Sequence, residues 1–105
     1  MRIMRVIVMF DLPTKTTAEK KRYLEFKRFL EEDGYIMEQF SVYSRTALGG
    51  APAAALRQRL RRNVPPRGAV HVLELTERQY AARETLVDTR PKTREDAGVQ
   101  LTLDF

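Results

Sequence analysis

The stretch from Ile3 to Phe10 (IMRVIVMF) is apolar at every position except Arg5 and rich in β-branched side chains. A run of that length predicts a central strand covered on both faces. Asp11-Leu12-Pro13-Thr14 ends it. Thr16 with Glu19 three residues later has the form of a capping box, and Tyr23, Phe26 and Leu30 then recur at helical spacing up to Gly34. The pattern predicts an amphipathic helix with a glycine stop. From Tyr35 to Arg45 (YIMEQFSVYSR) strand chemistry returns, with Ile36, Phe40 and Val42 on one parity and Gln39, Ser41, Tyr43 and Arg45 on the other. The segment is long for one straight strand, so a bend or tight reversal is expected near Gln39 to Ser41.

Leu48-Gly49-Gly50 reads as a loop. Pro52 suits the first turn of a second helix whose buried face is Ala53, Leu56, Leu60 and Val64, ended by Pro65-Pro66-Arg67-Gly68. Ala69 to Leu75 (AVHVLEL) is a further strand, and Thr76 with Gln79 repeats the capping-box form ahead of a short helical turn through Tyr80. Residues 1–87 thus read as one domain. Asp88 to Gly98 lacks periodicity and reads as a linker. Val99, Leu101, Leu103 and Phe105 then alternate with polar residues, the form of a terminal strand in need of an edge, its own or a partner's. The order is βαββαβ with an extra C-terminal strand. Right-handed crossovers place both helices on one face of an antiparallel sheet, an α+β, ferredoxin-like arrangement. Many unrelated functions use that fold.

Composition narrows the chemistry. Cysteine is absent, so disulfides, zinc–thiolate sites and thiol catalysis are excluded. The first apolar run is too short for a signal core or a membrane span, and a cytoplasmic protein is expected. With 105 residues the core is modest, and sharing it with a second copy would help. Nineteen Lys and Arg against fourteen Asp and Glu leave a net charge of +5, which suits a polyanion such as nucleic acid.

Two groups of basic residues stand out. Lys20, Lys21 and Arg22 lie on the first helix among Glu19, Glu25, Glu31 and Glu32, where a balanced, solvated face is the simpler reading. Arg57, Arg59, Arg61, Arg62 and Arg67 crowd the second helix and its exit with no acid between them, a better candidate for phosphate contact. His71 has no second His to partner it and reads as structural. Phe40 and Tyr43 read as core or interface residues, because no RNA-recognition aromatic motif accompanies them. Asp11 leaves two readings open. It satisfies backbone N–H groups of its turn, or it holds a metal at the strand's end. Magnesium usually takes one or two carboxylates, so the metal reading also asks for a two-fold dimer that brings Asp11 near its copy.

The segments MRVIVMFDLPT at 4–14, YLEFKRFLEEDGYIMEQFSVYSR at 23–45 and PPRGAVHVLELTERQY at 65–80 together resemble the CRISPR-associated Cas-two family, in particular members from type II systems. The resemblance implies a ferredoxin-like homodimer whose C-terminal strand reaches the partner's sheet. It implies that the dimer bridges the Cas-one integrase and binds double-stranded DNA for spacer acquisition. Asp11 matches the family's metal-associated aspartate, which implies Mg2+ or another divalent cation and phosphodiester hydrolysis, described variously as endoribonuclease (on single-stranded RNA) or DNase activity. A purely structural adaptor and an RNA-binding module of the same fold are the alternatives. Residues 48–55, rich in Gly and Ala, and the tail depart from the family pattern.

Overall fold

A computed structural model describes residues 2–91. Seven elements follow one another: β1 (Ile3–Asp11), α1 (Thr17–Glu32), β2 (Ile36–Gln39), β3 (Val42–Leu48), α2 (Gly50–Asn63), β4 (Ala69–Thr76) and α3 (Glu77–Ala81). The sheet runs β2-β3-β1-β4 with every neighbouring pair antiparallel, the ferredoxin-like α+β order expected from the pattern. The C-terminal strand read at Val99, Leu101, Leu103 and Phe105 lies outside the described residues.

Local chemistry accounts for the element ends. The Thr16 side chain accepts from the Glu19 N–H while the Glu19 carboxylate accepts from Thr16 N–H, closing the expected capping box. At the other end Gly34 has φ +90, its N–H bonds to the Glu31 carbonyl, and the Tyr35 N–H bonds to that of Leu30. That pair of bonds is a Schellman stop, which a left-handed glycine permits. Thr76 and Gln79 close a second capping box on α3. The reversal expected near Gln39 is present: the register shifts between Met37 and Gln39, and Ser41 turns the chain at φ 64.

The core lies between the sheet and the two long helices. Val6, Val8 and Phe10 on β1 meet Phe26 and Leu30 of α1 and Ala53, Leu56 and Leu60 of α2. Phe10 is its aromatic hub, edge-on to Phe26 at 5.2 Å and stacked on Tyr43 at 5.7 Å. Dense burial of this kind is the main favourable term for a chain of this size.

Four expectations need correction. β1 is central in the sheet, but only its even positions are covered. Ile3, Met9 and Asp11 are exposed, because both long helices pack on the same face. Val64 is 42% exposed, since the helix ends at Asn63 and Val64 leaves it in extended backbone. Phe40 is no core residue: at 81% exposed it sits in the turn after the edge strand β2, where Ile36 of the same parity is exposed as well. The Leu48–Gly50 loop is also shorter than expected, β3 running through Leu48 and α2 starting at Gly50.

Candidate functional site

The uncovered face of the sheet is where the site residues gather. Cross-strand partners share a face, so the register places Ile3, Arg5, Ile7, Met9 and Asp11 of β1 beside Thr46, Ser44 and Val42 of β3 and Leu75, Leu73, His71 and Ala69 of β4. This face divides into two ends.

At one end a polar cluster is roofed by α3. The Arg5 guanidinium donates to both Glu77 carboxylate oxygens at 2.9–3.2 Å and to the Ser44 hydroxyl at 2.9 Å, and pairs with Glu38 at 3.4 Å. Ser44, fully buried, donates in turn to Glu38 at 2.5 Å. Tyr80 lies between two guanidiniums, those of Arg5 at 4.0 Å and Arg83 at 3.9 Å. Burial, reinforced by a hydrogen bond with Glu38, pushes the Tyr80 hydroxyl up to about 12. Pattern reading missed this cluster, although a lone Arg5 in an apolar run was its visible trace.

At the other end are the apolar side chains of Ile7, Met9, Val42 and Leu73, and beyond them Asp11. Asp11 is exposed, because neither helix reaches across the sheet to cover it. His71 is exposed on the same face, a diagonal neighbour of Asp11 in the β1–β4 register. Sequence spacing could not pair the two, since sixty residues separate them before the strands align. Among the described residues no group of three or more His, Cys, Asp or Glu side chains is placed to hold a metal ion. Among the described residues one chain therefore offers Asp11 alone as a carboxylate at this end of the face.

The candidate cations separate into engaged and free groups. Arg57 is ion-paired to Glu74, and Arg59 donates to Asp33 at 3.0 Å. The helix lacks acids of its own, but the neighbouring strand and the end of α1 supply them. Arg61, Arg62 and Arg67 are exposed without an ion pair among the described residues. On α1, Lys20, Lys21 and Arg22 are exposed, and Lys21 reaches only a 4.0 Å contact with Glu25.

Near Asp11 the chain is tightly built. Gly68 has φ +93, and a Cβ there would fall 2.6 Å from the Asp11 carbonyl oxygen. The loop after α2 therefore lies directly on the end of β1, an approach only glycine allows. This brings Arg67 and Pro65 to the same cleft as Leu12, Pro13, Glu19, Arg22 and Tyr23. Within it the Glu19 carboxyl is held below its usual range, first by the Thr16 N–H and further by the Lys15 N–H and the nearby Arg67 charge.

Residues 4–83 match the family model for CRISPR associated protein Cas2. The chain belongs to the Cas2 family. A CRISPR-associated endoribonuclease Cas2 from Streptococcus mutans serotype c is 46% identical over 78 residues, 74% of this chain and 72% of that protein. One of the same name from Acidovorax ebreus is 48% identical over 84 residues, 80% of this chain and 82% of that protein. The solved structure of Streptococcus pyogenes Cas2 at pH 6.5 superposes with a TM-score of 0.57 at 22% identity, covering 79% of this chain and 99% of that one, which agrees with the fold. Among the described residues no helix is long and apolar enough to cross a membrane.

Proposed function

We propose that this Cas2-family chain acts as a homodimer that bridges the Cas-one integrase and grips double-stranded DNA during spacer acquisition, with metal-dependent phosphodiester hydrolysis at paired Asp11 residues. One observation carries the reading: Asp11 projects from the end of the central strand onto an uncovered, largely apolar sheet face. A second copy docked on Ile7, Met9, Val42 and Leu73 would remove those side chains from water, which is favourable in proportion to their area. The Arg5 cluster and α3 occupy the far end of the face, which among the described residues leaves the Asp11 end open to a partner. A two-fold axis there brings the carboxylates toward each other.

Among the described residues one chain brings a single carboxylate to this end of the face, and a second Asp11 from a partner copy, with water and phosphate oxygens, would complete a donor set that suits magnesium. When bound, that ion would supply Lewis-acid polarisation of the phosphodiester and an activated water. The chain's own residues orient and bind. Arg61, Arg62 and Arg67 are exposed without an ion pair among the described residues and available to backbone phosphates, so binding falls with salt and shows little sequence preference. The endoribonuclease name of the relatives supports hydrolysis of RNA as well. A non-catalytic adaptor is favoured instead by the single carboxylate per chain.

The deciding experiment compares the parent, Asp11→Ala and a chain lacking Val99 to Phe105 in spacer acquisition, alongside RNA and DNA cleavage with magnesium or with chelator. Cleavage lost in Asp11→Ala and with chelator supports hydrolysis. Cleavage equal to the parent at matched purity rules it out. Acquisition lost only on truncation assigns the biological role to assembly. Full acquisition by the integrase alone overturns the adaptor.

A further inference from the structure

The free arginines of the two long-helix regions come together at one place. Arg22 from α1 and Arg67 from the loop after α2 line one cleft, with Leu12, Pro13, Tyr23 and Pro65 as its apolar walls. The cleft is shallow and open to solvent, enclosing only about 10 Å³, so a bound anion would rest at its mouth rather than inside it. Both guanidiniums are exposed and without an ion pair among the described residues. Glu19 also lines the cleft, but its carboxylate already accepts from Lys15 N–H at 3.0 Å and Thr16 N–H at 2.9 Å. It is committed to the helix cap and offsets part of the Arg67 charge, so two arginines against one carboxylate leave the cleft net positive. The cleft begins at Leu12, the residue after Asp11, and the Gly68 contact holds its two sides together.

We infer that the mouth of this cleft is a phosphate subsite, where Arg22 and Arg67 together hold one phosphate of a nucleic-acid strand. Planar guanidiniums make charge-assisted, directional hydrogen bonds to a tetrahedral anion. The site rests on the nucleic-acid reading above and sharpens it, because it fixes where a strand lies relative to Asp11. It also assigns the work to one arginine from each basic group and leaves Arg57 and Arg59 to the fold.

The test measures binding without metal, so that it does not depend on hydrolysis. A ribonucleoside 5′-monophosphate is titrated into the full chain and its Arg22→Ala, Arg67→Ala and Arg28→Ala variants, with backbone amide shifts recorded by NMR. Loss of one charge-assisted partner should weaken binding about tenfold in each of the first two variants, and Arg28→Ala, which removes the same charge from an exposed position of α1 outside the cleft, should change it less than about twofold. Shifts should centre on Leu12, Tyr23 and Gly68. Excess inorganic phosphate should displace the nucleotide, showing that phosphate is the group held. Equal weakening in all three variants, shifts centred elsewhere, or a nucleotide undisturbed by phosphate would overturn the subsite. None of these depends on whether Asp11→Ala cleaves, so the subsite and the hydrolysis reading stand or fall separately.

Discussion

The two faces of the sheet are built from alternate residues of the same strands and stabilised by different physics. On the covered face Val6, Val8 and Phe10 meet two helices in a dry, close-packed layer. On the open face Arg5, Ile7, Met9 and Asp11 meet either a hydrogen-bonded ion cluster or solvent. The covered face holds the fold and tolerates little change, while the open face holds position and leaves surface for partners. Shifting any strand by one residue would exchange the two sets, so register decides both stability and function here.

The sharpest way to break the contrast is at the covered face. Phe26→Ala should lower stability by about 3–5 kcal/mol in urea or thermal unfolding, the cost of emptying a fully buried aromatic position. An effect below about 1 kcal/mol would mean that the core collapses around the gap.

The ion cluster should give a smaller and more local response. Arg5→Ala leaves Glu38, Glu77 and Ser44 without their shared donor, at a cost of about 1–3 kcal/mol because the group is only part-buried. Amide exchange of Glu77 to Ala81 should speed up more than that of α1. Uniform acceleration across the chain would show that α3 is not held locally.

Tyr35 is a weaker point within the covered region. Its hydroxyl is buried with no hydrogen-bond partner among the described residues, and burial pushes its pKa up to about 12. Tyr35→Phe should therefore be neutral or stabilising by up to about 1 kcal/mol at neutral pH. The folded pKa lies above the ordinary tyrosine value of 10.0, so this contribution is intact below pH 10 and lost as pH rises toward 12. Tyr80 loses stability in the same direction and window. A pH titration of the unfolding midpoint should fall there, less steeply in Tyr35→Phe.

The smallest intrinsic effect belongs to the open apolar end. Met9→Lys should change stability by less than about 0.5 kcal/mol at high dilution, yet remove self-association in sedimentation. Unchanged sedimentation would place the partner surface elsewhere.

Much of the fold was legible because its signals are local. The capping boxes at Thr16 and Thr76, the Gly34 stop and the reversal between β2 and β3 each depend on a few neighbouring residues, and each appears in place. Covering of β1 was misjudged because a continuous apolar run does not say which of its faces finds a helix. Asp11 was legible as a candidate at the strand's end, but its exposure depends on helices that pack on the opposite face. The arginines were harder still. Glu74 and Asp33 meet Arg57 and Arg59 across seventeen and twenty-six residues of chain, beyond any helical spacing, so an unbalanced helix in sequence is a partly balanced one in space.

Those two pairs have a practical side in the handling of the protein. They are partly sheltered and short-range, whereas Arg61, Arg62 and Arg67 face solvent. At about 1 M salt the Debye length falls to roughly 3 Å, which silences exposed charges far more than sheltered ones. A high-salt wash should therefore strip carried-over nucleic acid from the purified chain while the fold stays intact, giving a clean baseline for any cleavage assay.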